Sequence, residues 1–227
     1  MTIWQEITNL IENYPLSFLP DCFLLLGIIV GGSSLRYLNG PTRVILLMLI
    51  ICFLVEIVLT YYAILKQNNR FFVNMTSLVE TICLSVAYYI EIKQKKNRQV
   101  ILVLLATYLI TFAYSFEWAR MGEYLLTVER LVLLSFVALH FHHILSIMRV
   151  PNILAYAMFW VSAGVMVYAA GTFFIFLFTR VTLENSRASI DFMRYLSVVR
   201  WFTCIFYTVI AAAFYLRRRE VMAQTIS

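Results

Sequence analysis

Three glutamates lie inside long apolar stretches: Glu56 in FLVEIVL, Glu80 in SLVETICL and Glu129 in TVERLVLL. Two arginines, Arg130 and Arg200, are placed in the same way. A charge at the centre of a hydrocarbon layer costs about 2.5–3.5 kcal/mol or more, so such a residue faces a protein interior or a wet cavity and takes a partner there. Glu56, Glu80, Glu129, Arg130 and Arg200 are therefore the candidate ligand- or proton-binding residues. Three acids against two bases leave one carboxylate over, free to meet a cation or a proton.

Other chemistry is poorly supplied. No nucleophile–base pair accompanies the charges, so an enzyme is not expected. His140, His142 and His143 form an HFHH run, and His140 and His143 share a helical face at a spacing that could chelate a metal. These are the only histidines, so the other ligands would have to come from cysteines or carboxylates on other helices. The favoured reading places the three histidines near headgroups with their polar tips outward, and expects neither metal nor cofactor. Cys22, Cys52, Cys83 and Cys204 are isolated and read as small apolar fillers without disulfides.

The elements that position these residues must be membrane spans. With 62% apolar and 13% charged residues and a mean hydropathy of +0.83, the chain does not fit a soluble domain with its own core. Seven spans of about 20 residues can be read, at roughly 17–37, 43–65, 71–92, 99–116, 124–148, 152–179 and 195–216. Polar breaks separate them, among them KQNNR, KQKKNR and the longer TRVTLENSRASIDFMR. The fold class is then all-α, with residues 1–227 forming a single seven-helix transmembrane domain. The first residues, MTIWQEITNLIENYPLS, lack a basic region before an apolar core, so the first span is expected to remain as an anchor.

Basic residues set the orientation. With the N-terminus outside, Arg36, Arg43, Lys93, Lys95, Lys96, Arg98, Arg149 and Arg217 to Arg219 fall inside. Only Lys66, Arg70, Arg120, Arg180, Arg187 and Arg194 fall outside, and that bias favours N-out and C-in. The same bias accounts for the net charge of +6, so nucleic acid is not an expected partner. A multi-pass protein of a cell membrane is, of the bacterial inner-membrane type, with the lipid bilayer around it. A cytoplasmic effector protein and a homo-oligomer are candidate partners.

At about 1.5 Å of rise per residue, all five buried charges fall in the outer half or the centre of their spans. They belong to polar stripes: Cys52, Glu56 and Thr60 on span two; Thr76, Ser77, Glu80 and Cys83 on span three; Ser197, Arg200, Thr203, Cys204 and Tyr207 on span seven. On span five Glu129 shares its face with Phe136, His140 and His143, while Arg130 points about 100° away. That angle predicts different partners for Glu129 and Arg130. Arg200 is then the expected countercharge of Glu80 or Glu129. Two readings of the set stand: ion pairs that fix helix register, or an outward-open pocket for a solute, ion or proton. Gly27 and Gly31 in span one and Gly164 and Gly171 in span six read as close helix-packing positions.

Span seven, WFTCIFYTVIAAAF, holds no lysine for a retinal Schiff base, which excludes a retinal pigment. SLVETICL in span three, VERLVLLSF in span five and FWVSAGVMVYAAGTFFIF in span six resemble an uncharacterised group of small bacterial seven-helix membrane proteins. The resemblance implies the architecture and brings no activity with it. The function expected from the charges is a non-enzymatic sensor or signalling-type protein with an outward-facing polar pocket. The alternative is a small transporter or channel using the same carboxylates.

Overall fold

The computed structural model describes residues 15–65, 67–115, 123–146, 153–183 and 188–226. Among the described residues the long apolar stretches form helices, which satisfy their own N–H and C=O groups as a membrane span must. Among the described residues seven helices follow in chain order: α1 Pro15–Ser33, α2 Gly40–Ile64, α3 Arg70–Glu91, α4 Lys95–Ser115, α5 Glu123–Ser146, α6 Ala157–Leu183 and α7 Ala188–Ile226. A 3-10 turn, Ile153–Ala155, precedes α6. Six of the seven are long and apolar enough to cross a membrane, and the apolar part of α1, Phe18–Ser33, is shorter than the others.

The ends depart from the expected spans for local reasons. α1 stops at Ser33, where Gly31, Gly32, Ser33 and Ser34 lead into a turn ending at Tyr37. α2 starts at Gly40 because Asn39 caps it: the Asn39 Oδ1 accepts from the Thr42 amide at 3.3 Å and from the Thr42 hydroxyl at 2.7 Å, with Pro41 in the first turn. The basic Lys95 to Arg98 run, expected as a loop, forms the first turn of α4. The largest correction concerns TRVTLENSRASIDFMR. Most of it is helical, at the end of α6 and the start of α7, and only 184–187 lie outside the described residues. α7 thus has 39 residues, a rod of roughly 58 Å.

Six helices close a ring in the order α1, α7, α6, α5, α3, α2 and back to α1, while α4 lies outside against α3 and α5. α4 buries little beyond Ile101 and Tyr108. Close approach is set by small residues where they were expected. A Cβ on Gly31 would come within 2.6 Å of Leu46 Cδ1 and 2.9 Å of the Phe214 ring, so α1, α2 and α7 meet there only because that residue is glycine.

The bundle is packed unevenly along its length. In the half bearing the α3–α4 connection, Leu49, Leu84, Tyr88, Phe136, Val161 and Phe214 are fully buried. Toward the α2–α3 connection the packing opens. The buried residues of α2 end at Cys52, and from Phe53 onward none is buried.

Candidate functional site

The opening in the bundle is where the buried charges gather. α3, the most one-sided helix, turns Asn74, Ser77, Glu80, Thr81, Leu84, Ser85 and Tyr88 inward, a stripe at helical spacing. α5 stands across from it with Glu129 fully buried and Arg130 3% exposed. Arg130 Nη1 lies 2.9 Å from Glu129 Oε1 and 3.7 Å from Glu80 Oε2. One guanidinium nitrogen thus serves two carboxylates.

Neutral groups tie this triad to its neighbours. Arg130 Nη2 donates to the Tyr168 hydroxyl at 2.8 Å, and that hydroxyl donates onward to Glu80 Oε2 at 3.3 Å. The Arg130 guanidinium also lies over the Tyr168 ring, 4.2 Å from its centroid, and the ring stacks on Phe206 at 4.9 Å. On the other side, Ser77 Oγ donates to Glu129 Oε2 at 2.7 Å. Having given its only proton there, it accepts from the Tyr108 hydroxyl at 2.7 Å. The sequence Tyr108, Ser77, Glu129, Arg130, Tyr168, Glu80 is one connected network across α3, α4, α5 and α6. Arg130 Nε remains without a hydrogen-bond partner among the described residues.

One cavity opens from the network, and a second adjoins the first. The first, about 180 Å³, is lined by Glu56, Ser77, Glu80, Arg130, Tyr168 and Thr203 among others. The second, about 370 Å³, holds Asp21, Glu56, Thr60, Asn69, Arg200 and Thr203. Glu56, Leu59 and Thr203 belong to both walls, so the cavities adjoin at Glu56. Both carry polar groups on a largely apolar wall and are large enough for several water molecules.

The five expected residues therefore divide. Glu80, Glu129 and Arg130 form the triad, and Glu56 joins it across the first cavity. Arg200 does not reach Glu80 or Glu129; it faces Asp21 across the second cavity. The expectation that Arg200 is the countercharge is overturned, and so is the separation of Arg130 from Glu129. The reason lies in α5, which packs against α3, α4 and α6. A helix buried on so broad a front keeps two positions 100° apart both inside, and the long arginine side chain bends back to its neighbour. Tyr168, Tyr108 and Asp21 were not among the expected site residues. Tyr168 was one aromatic among many in α6, with no spacing to single it out.

The histidines also differ from expectation. His142 is exposed, but His140 is fully buried and His143 nearly so. His140 Nδ1 lies 2.7 Å from Ser162 Oγ, which is 3.0 Å from the Tyr88 hydroxyl. The imidazole stacks on Tyr156 at 6.2 Å, whose hydroxyl donates to Glu91. Their face of α5 is the one that carries Glu129 and Phe136, and it points into the bundle. Among the described residues no three His, Cys, Asp or Glu side chains are grouped to hold a metal, and the four cysteines are free.

Compared with protein-family models, curated proteins and solved structures, the chain has no match in any of the three. A functional reading has to rest on this geometry.

Proposed function

We propose that the chain is a seven-span, N-out and C-in protein of a cell membrane that works as a sensor. It binds a small ligand or a proton in the chamber formed by the two adjoining cavities. A shift of the helices around the chamber passes to a separate cytoplasmic effector, and no reaction is catalysed. The orientation is supported by the basic residues at the α1–α2, α3–α4 and C-terminal ends. α1 is counted as a span because it packs along α7 in the closed ring.

One observation carries the reading. Glu80 and Arg130, two members of the buried Glu80–Arg130–Glu129 triad, line a cavity whose wall is shared by α2, α3, α5, α6 and α7. Any change of charge there alters the attraction among α3, α5 and α6 at once, which is what a ligand-driven shift requires. Beyond the chamber stands an apolar layer that includes Leu84, Leu133, Phe136 and Val165, all 1% exposed or less. That layer favours a binding chamber over a conducting path.

The experiment uses two readouts on the same proteoliposomes. Spin labels on the exposed positions Leu145 and Tyr215 are expected to change their separation when the outside is acidified. Glu80→Gln is expected to suppress that change. A pH-sensitive dye inside is expected to show no proton flux above that of empty liposomes. Robust flux that Glu80→Gln abolishes overturns the sensor reading and establishes transport. The specific observation on the side of transport is the Tyr88–Ser162–His140 network, which continues the polar groups toward the other end of α3, α5 and α6.

A further inference from the structure

We infer that the larger cavity, between α1, α2 and α7, is a headgroup site for a zwitterionic amphiphile that enters sideways from the bilayer. The amphiphile carries an ammonium and a phosphate beside an acyl chain. This rests on the chamber reading and names the ligand class of its outermost part.

The charges come first. Asp21, Glu56 and Arg200 line one cavity of about 370 Å³. Asp21 interacts electrostatically with both of the others. Among the described residues, however, none of the three is closed into a hydrogen bond or a close ion pair. Charges held apart across a cavity, instead of neutralising one another, leave room for a ligand with both signs. The Arg200 guanidinium matches the paired oxygens of a phosphate, and the two carboxylates match an ammonium. A purely anionic headgroup would meet two carboxylates, and a purely cationic one would leave Arg200 unanswered. The volume lies within the range of small-molecule sites.

The second observation is the side opening. A groove of about 310 Å³ shares Phe18, Asp21, Glu56 and Thr60 with this cavity and continues along Phe53, Ile57 and Tyr61. Ile57 and Tyr61 are each 53% exposed on the outer face of α2. A free ion has no use for an apolar wall that opens onto lipid, but an acyl chain does. The third is the packing of α2, which buries nothing after Cys52. No core contact has to break for a chain to lie against its far half.

Nanodiscs test the inference with phosphatidylethanolamine and phosphatidylglycerol probes carrying the same photoreactive acyl chain, with labelled residues mapped by mass spectrometry. The ethanolamine probe is expected to label residues 53–61 of α2 about tenfold more than the glycerol probe, and Arg200→Gln or Glu56→Gln is expected to reduce that labelling about tenfold, the scale of one charge-assisted contact. Ile57→Trp fills the groove from the lipid side and is expected to block labelling without loss of folding. Arg200→Lys, which keeps the charge and loses the fork, replaces Arg200→Gln should the latter not fold. Equal labelling by both probes overturns the inference, as does labelling indifferent to Glu56→Gln and Arg200→Lys. Displacement by soluble phosphoethanolamine as effective as by unlabelled lipid overturns the sideways entry. A chain that goes unlabelled but still changes its spin-label separation loses only this inference. One that is labelled but unresponsive loses the sensor reading instead.

Discussion

The two polar networks of this bundle are built on the same helices, yet they solve different problems. Around Glu80, Glu129 and Arg130 the groups are ionisable, and Glu80 and Arg130 line a cavity. Around Tyr88, Ser162 and His140 the ring and hydroxyl groups pair at hydrogen-bond distance, and none of them lines the chamber. Glu80 and Tyr88 sit on one stripe of α3, about 12 Å apart along the axis, and Glu129 and His140 sit on one stripe of α5. Folding alone is served by the second kind of network, which cross-links helices with small dipoles at modest cost. The first kind leaves charges that must be held in balance, and such an arrangement suits a part that responds to its surroundings.

The difference can be broken most directly at Arg130. Arg130→Gln leaves two buried carboxylates without their cation and is expected to cost about 3–5 kcal/mol, read as a large fall in thermal unfolding temperature in detergent. If it is tolerated as well as a change in the histidine network, the contrast between the two regions fails. Tyr168→Phe keeps the stack on Phe206 but removes the hydroxyl shared by Arg130 and Glu80. Its expected cost is roughly 1.5–3 kcal/mol, the value of hydrogen bonds to charged groups, measurable by chemical denaturation. His140→Leu, the matching change in the neutral network, leaves Ser162 short of a partner and is expected to cost about 1–2 kcal/mol. Glu56→Gln sharpens the comparison from the other side. Half-buried and tied to no cation, Glu56 is expected to change stability by about 0.5 kcal/mol or less while altering what the chamber binds; a large fall in unfolding temperature would show it to be structural.

Much of this arrangement was legible in the sequence. Each buried charge announced itself by interrupting an apolar run, and the stripe spacing brought Thr76, Ser77, Glu80, Glu56, Thr203 and Tyr207 to a common interior. Pairing was harder to read. The angle between adjacent helical positions argues against a Glu129–Arg130 contact only if one of them faces lipid, and the sequence of α5 does not say how many helices surround it. Arg200 was assigned to the wrong acids because depth alone does not say which helices are neighbours; α7 packs against α1 and α6, not along α3. Tyr168 was hidden by its company, since a tyrosine among Trp160, Tyr156 and the phenylalanines of α6 carries no mark of its role. The helix ends were misread where charged residues form first turns, as Lys95 to Arg98 do, because charge suggests a loop while the backbone still gains from continuing the helix.

The length of α7 has a mechanical side. Thr203 touches both cavities, and Glu220, on the same unbroken helix, stands about 25 Å further along the axis. There Arg217 and Glu220 form an ion pair of 2.7 Å one turn apart on the helix. A rod of that length works as a lever: a tilt of about 5° with its fulcrum at the chamber sweeps the far end sideways by about 2 Å. Displacements of that size are enough to make or unmake a contact with another protein, so on the proposed sensor reading a small event at the chamber would be amplified toward the basic end of the helix.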